Sequence, residues 1–221
     1  YYNGVIEQVA GGIGNVEHNS ILVRYSNDFS IWDLESVNHY KDQTDIFFTC
    51  HEFSYNKIAE AYEPYLGLIR QMFHKYCSGT LEEFMEECDV YKLQRPVFES
   101  YFEKGFCERT EQILIDEVEY EQERMRNSIV TMLQKLSEIR PVVIVLNRFQ
   151  LASKSTMQLS NSLLQVKNKN IGIVLGVNDV QSIPEFAHEE WDAICESMDD
   201  RNMVYHFGYA GRDVEAEVMD Y

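Results

Sequence analysis

The chain has 221 residues, with 37 Asp and Glu against 19 Lys and Arg, for a formal charge of -18. That length suits one large domain or a core carrying an inserted subdomain, and 45% hydrophobic and 25% charged residues are ordinary for a globular protein. The acid excess repels phosphate backbones and anionic lipid, which argues against nucleic acid and membranes as direct partners.

No apolar run approaches the roughly 18 residues of a membrane span, and no basic segment followed by an apolar run opens the chain as a signal peptide would. The first residue is Tyr, so a piece of a longer protein is expected. Five cysteines (Cys50, Cys77, Cys88, Cys107 and Cys195) are scattered without a C-x-x-C pair, which points to reduced structural thiols in a cytoplasmic protein.

In chain order, "GVIEQV" (4–9) reads as a short strand because Val5, Ile6 and Val9 are β-branched. The glycine cluster "GGIG" (11–14) follows, and then a helix is expected from Val16 to about Tyr25. "DIFFTC" (45–50) reads as a buried strand. Leu66, Ile69, Met72, Phe73 and Tyr76 share one face of a helix whose first turn Pro64 suits. Residues 77–112 are expected to form a helical insertion, with a capping box at Thr80 and Glu83.

From residue 115 to 139 the apolar positions Val118, Met125, Ile129, Met132 and Leu136 mark a long amphipathic helix. It leads through Arg140 and Pro141 into the apolar strand Val142 to Leu146. A helix over 153–166, a strand over 170–178, a helix over 185–198 and a strand over 202–209 complete the pattern. Apolar strands without alternation, separated by helices, predict an α/β three-layer sandwich with a mostly parallel central sheet.

A phosphate-binding loop needs glycines, so that backbone N–H groups can wrap a phosphate, together with a Lys and a hydroxyl for Mg²⁺. "VAGGIGNV" (9–16) has the glycines but carries Asn15 and Val16 at the other two positions. "RPVVIVLNRFQLAS" (140–153) opens like a metal-binding strand but ends in Asn147 and Arg148 where acids belong. "CHE" (50–52), Pro64-Tyr65 and "IVLGVND" (173–179) stand between and after these segments.

In order and spacing these segments resemble the AAA-type, STAND-like P-loop ATPase modules of large bacterial regulators. Those modules read "GxAGIGKT", then C-x-E, then a helix opening with "PY", then "RPLVLVLDDLQWAD", and Gln150 and Ala152 match the last string. The resemblance implies a P-loop NTPase-like fold and places a vestigial nucleotide site at Gly11, Gly12, Ile13, Gly14, Asn15, Val16, Asn147 and Arg148.

It also implies what has been replaced. Asn15 takes the place of the phosphate-binding Lys, Val16 that of the Mg²⁺-binding hydroxyl, and Asn147 and Arg148 those of the paired acids. Ser153 stands for the Asp of "WAD", and Asp179 stands at or beside a phosphate-sensing Arg. Electrostatic stabilisation dominates phosphoryl transfer, so these losses point to a domain without hydrolysis.

The expected role is a scaffold or regulatory interaction module that contacts protein partners or other domains of a larger protein and is able to oligomerise. It has no catalytic residues, no metal and no obligatory cofactor, and at most holds ATP or ADP weakly without Mg²⁺. The alternatives are a non-hydrolysing nucleotide switch and an ATPase completed by a neighbouring subunit.

The remaining chemistry is thin. The six histidines show no metal-ligand spacing, "HEE" (188–190) is not the H-E-x-x-H pattern, and G-x-S-x-G is absent. The acidic run "DEVEYEQE" (116–123) reads as the solvated face of a helix.

Overall fold

Among the described residues, hydrophobic runs that alternate with amphipathic stretches build a five-stranded sheet in which every strand pair is parallel. The computed structural model describes residues 2–15, 19–25, 45–57, 59–105, 118–178, 183–199 and 204–207. Its strands are β1 (Ser20–Tyr25), β2 (Phe47–Glu52), β3 (Val142–Asn147), β4 (Ile171–Asn178) and β5 (Val204–Phe207), in the spatial order β2-β3-β4-β1-β5. The described helices are α1 (Tyr2–Gly12), α2 (Tyr65–Tyr76), α3 (Leu81–Glu87), α4 (Arg95–Lys104), α5 (Val118–Ile139), α6 (Lys154–Val166) and α7 (His188–Asp199).

Strand alternation sorts the core into two layers. Leu22, Ile144, Leu146, Ile173 and Leu175 meet Ile69 and Met72 of α2, Ile129 and Leu136 of α5, Met157 and Leu163 of α6, and Ile194 and Met198 of α7. On the opposite face Ile21, Val23, Val143, Val145 and Val174 meet Val5, Ile6 and Val9 of α1. Every residue of β3 and β4 is buried, as expected of parallel strands covered on both sides. The helix–sheet–helix sandwich read from the sequence is therefore present.

Two expectations at the start of the chain fail. "GVIEQV" is part of α1, not a strand. Its β-branched residues fit a strand, but Val5, Ile6 and Val9 are buried while Glu7, Gln8 and Gly11 are exposed, which is a helical period. The helix expected over 16–25 is β1 from Ser20 onward. The continuous run Ile21-Leu22-Val23 has no helical period, and all three side chains are fully buried.

Within 77–112, the described part holds α3 and α4. The predicted capping box is formed: Thr80 Oγ1 accepts from Glu83 N–H at 3.2 Å, and Glu83 Oε2 accepts from Thr80 N–H at 2.9 Å. Phe84, Met85, Phe98 and Phe102 bury their rings and chains in the same core layer as α2. Phe73 joins Phe84 and Phe102 at centroid distances of 5.2 and 5.5 Å, so aromatic packing ties this segment to the main core.

α1 lies close against the sheet because β4 carries a glycine beneath it. A Cβ on Gly172 would stand 2.7 Å from Val9 Cγ1, 2.9 Å from the Asn19 carbonyl oxygen and 3.2 Å from Val143 Cγ2. Asn19 fixes the same corner, donating from Nδ2 to the Asn168 and Ile171 carbonyls at 2.7 and 2.8 Å. Backbone cannot yield as a flexible side chain can, so overpacking is costly here.

Gly172→Ala is expected to destabilise the fold by about 1–3 kcal/mol, and thermal melting would show a fall of roughly 2–4 °C per kcal/mol for a chain of this size. Combining it with Val9→Ala should give a loss smaller than the sum of the two single losses, because one of the close contacts is then gone.

Candidate functional site

The parallel sheet has an amino end and a carboxyl end, and the sequence-predicted site residues divide between them. Gly11, Gly12, Ile13 and Gly14 close α1 instead of opening a helix. Gly14 takes φ 97°, a conformation suited to glycine at a helix end. Its N–H donates to the Lys169 carbonyl at 2.7 Å, just before β4, and the Asn15 N–H donates to the Gly12 carbonyl at 2.8 Å. Val16 lies outside the described residues.

A phosphate loop needs the positive end of a helix and unpaired N–H groups. Residues 11–15 offer the opposite: the negative end of α1 and N–H groups at Gly14 and Asn15 that are already bonded. The strand–glycine–helix frame expected for 4–25 is thus inverted to helix–glycine–strand. With it goes the expected grouping of Gly11–Asn15 with Asn147 and Arg148. The glycine turn lies at the amino end of β4 and Asn147 at the carboxyl end of β3, about 20 Å apart for six strand residues.

The carboxyl end is the part of an open α/β sheet where ligands bind, in the crevice where the strand order reverses. Here the chain leaves β1 toward the distant β2 and later leaves β4 over β1 toward β5, so the reversal lies beside β1 and β4. Tyr25, Glu52, Asn147 and Asn178 end the four longer strands at this edge. Asp179 lies outside the described residues.

Asn147 is the hub. It is fully buried, and its Oδ1 accepts from the Tyr25 hydroxyl at 3.1 Å and from the Arg148 N–H at 2.9 Å. The Tyr25 bond crosses β4, whose residues on that face by alternation are Val174, Gly176 and Asn178. Asn147 Nδ2, by contrast, has no hydrogen-bond partner. A buried amide N–H left unpaired costs about 1–3 kcal/mol, so the position is held against a local penalty.

Arg148 follows in the left-handed region, at φ 53° and ψ 43°. Its Nε meets Glu52 Oε1 at 3.3 Å and its guanidinium lies 6.0 Å from the Tyr55 ring. The Tyr25 hydroxyl is pushed up to about 12, chiefly by burial, with Arg148 opposing the shift. It therefore stays protonated and donates. Burial also holds the neighbouring His51 below its ordinary value, favouring neutral imidazole.

The segment after Arg148 locks into the core. Phe149 is fully buried between Phe53 and Trp191, at centroid distances of 6.2 and 6.5 Å. Gln150 Oε1 accepts from the Asn178 N–H at 3.3 Å, tying the end of β3 to the end of β4. Ser153, which stands where the resembled family has Asp, caps α6 by accepting from the Thr156 N–H at 3.3 Å. Tyr25 is a residue of this edge that the helix expected over 16–25 conceals. Its signal was an apolar strand ending in a polar aromatic.

What this edge can do chemically follows from its donors. At the buried centre stand a phenol, two amides and backbone groups, all neutral, and the charges of Arg148 and Glu52 neutralise each other toward solvent. It can hold hydrogen-bonding groups, and Asn147 Nδ2 has two N–H donors to give. Among the described residues no group of three His, Cys, Asp or Glu has metal-site geometry, and no helix is long and apolar enough to cross a membrane.

Tyr25→Phe removes one bond from Asn147 Oδ1 and leaves the Arg148 N–H in place, so urea unfolding should register a loss of about 0.5–1.5 kcal/mol. Asn147→Asp buries a carboxylate, which raises its folded-state pKa above the unfolded value. The penalty, roughly 3 kcal/mol, is full at neutral pH and fades as pH falls through the raised pKa toward the ordinary carboxylate range. Melting curves at pH 7.5 and 4.5 would check this: a gap from wild type that stays constant contradicts the assignment. Gly14→Ala is expected to cost about 1 kcal/mol as a helix-end defect. Comparison of the chain with protein-family models, with curated proteins and with solved structures gives no match.

Proposed function

We propose that this chain is a P-loop NTPase-like domain that does not hydrolyse nucleotide and serves as a scaffold or regulatory interaction module in a larger cytoplasmic protein of the bacterial regulator type. The observation that carries the reading is Asn147. At the strand end where the resembled ATPases hold an acid, the chain has a buried neutral amide whose oxygen is taken by Tyr25 and the Arg148 N–H. Arg148, at the second acid position, is engaged with Glu52. A site for phosphoryl transfer needs charge aimed at the transferring group, and here the charges are spent on one another.

The surface supports the interaction part of the reading. The Arg124 guanidinium lies against the rings of Tyr91 and Tyr120, at 4.1 and 4.0 Å from their centroids, and Leu93, two residues after Tyr91, is exposed. Tyrosine and arginine held rigidly with an exposed leucine have the composition of protein interfaces. Arg124 also pairs with Glu121 at 3.1 Å, which further fixes the patch before any partner arrives.

A second reading, a nucleotide switch without cleavage, is favoured by the unpartnered Asn147 Nδ2. It would hold nucleotide without Mg²⁺ at the carboxyl edge beside Asn147, not at Gly11–Asn15.

Steady-state ATP and GTP turnover with Mg²⁺, measured over a range of protein concentrations, tests the main reading. No turnover above the buffer rate is expected. Turnover that appears, or that grows with concentration as subunits complete one another, overturns it. Thermal shift with ATP, ADP, GTP and GDP, with and without Mg²⁺, separates the two readings. A native-state ligand at 100 times its Kd adds about 2.7 kcal/mol, and an Mg²⁺-independent rise that disappears in Asn147→Leu would select the switch.

A further inference from the structure

A separate concentration of chemistry lies along the edge strand β2, beside the last turn of α2 and Arg140 in the link before β3. A cleft of about 670 Å³ opens there, walled by Phe47, Gln71, His74, Lys75, Tyr76 and Arg140. Its volume lies within the roughly 300–1,000 Å³ typical of small-molecule sites. Phe47 and Tyr76 meet edge to face at 5.9 Å and 88°, giving the cleft a rigid aromatic corner.

Two cations converge on that corner. Lys75 Nζ lies 5.7 Å from the Phe47 centroid and 5.4 Å from that of Tyr76, and the Arg140 guanidinium lies 5.3 Å from Tyr76. Among the described residues Lys75 has no carboxylate within ion-pair distance. Arg140 Nη2 lies 3.7 Å from Oδ1 of the fully exposed Asp45.

The dipole of α2 accounts for His74 and Lys75 in its last turn. It does not account for Arg140, which comes from a different part of the chain and approaches the same ring. Nor does it account for a cavity of ligand size between them. A guanidinium fork and a mobile ammonium over aromatic walls suit an anion with a flat apolar body.

We propose that this cleft binds a small organic anion, a carboxylate or phosphate monoester on an aromatic ring, with Lys75 and Arg140 holding the anionic group while Phe47 and Tyr76 pack the ring. The site is distinct from the carboxyl edge and does not depend on how that edge functions.

Benzoate and phenyl phosphate titrated into ¹⁵N-labelled protein test it. Saturable amide shifts grouped at Phe47, Gln71 and Tyr76 are expected, and the tighter of the two probes identifies the anionic group. Inorganic phosphate, which lacks the ring, and benzyl alcohol, which lacks the charge, should each bind at least tenfold more weakly. Lys75→Gln and Arg140→Gln should each weaken the better probe about tenfold, and because Lys75 is exposed its variant decides the matter if the arginine variant folds poorly. Absence of saturable shifts with both probes, shifts located elsewhere, or affinity unchanged in Lys75→Gln would overturn the proposal.

Discussion

All the described strands of this sheet run the same way, and nearly everything else follows from that constraint. Parallel strands cannot be joined by tight turns, so each must be followed by a crossover that covers a face. β3 and β4 are consequently buried along their whole length, and no side chain there is available for chemistry except at the ends. The two ends are unlike. At the amino end lie the close of α1, the glycine turn and the link before β3. The carboxyl end gathers the terminal residues of β1, β2, β3 and β4.

At the carboxyl end the chain has solved a problem that an acid would have posed differently. An ionised carboxylate at the fully buried position of Asn147 needs compensating charge, which a bound cation supplies in an active hydrolase. Asn147 needs none. Its oxygen is satisfied by a phenol held protonated through burial and by a backbone N–H. Arg148 is then free of that duty and turns outward to Glu52. The left-handed backbone at Arg148 is the geometric consequence: the chain must swing at once to bury Phe149 between Phe53 and Trp191.

Much of this architecture was legible in the sequence where apolar runs are long or flanked by strong caps. β3 and β4 announce themselves as unbroken apolar runs, α5 by its heptad-like spacing, and α3 by a capping box that the structure forms as expected. The first 25 residues were not legible, because six-residue apolar stretches suit either element. Val5, Ile6 and Val9 have strand-forming side chains at helical spacing, and tertiary packing over Gly172 decides for the helix. The glycines of 11–14 mark a turn in either case, so their presence could not reveal which element came first. Tyr25 and Asn147 are 122 residues apart, and no local pattern links them; only the insertion of β4 between their strands brings them together.

The two ends also differ in how they treat charge, and this bears on what a chain of charge -18 can recognise. At the carboxyl edge opposite charges are paired and the buried centre is neutral, so attraction for an anion there rests on the unpaired amide NH2 of Asn147. Along β2 the balance differs: Lys75 and Arg140, from separate parts of the chain, face one aromatic corner. A field summed over the whole surface is repulsive to anions, but screening damps that repulsion at distances beyond about 10 Å at ordinary ionic strength. Inside a partly enclosed cleft the nearest charges dominate. The acid-rich surface is therefore compatible with the small anion proposed for the cleft lined by Lys75 and Arg140.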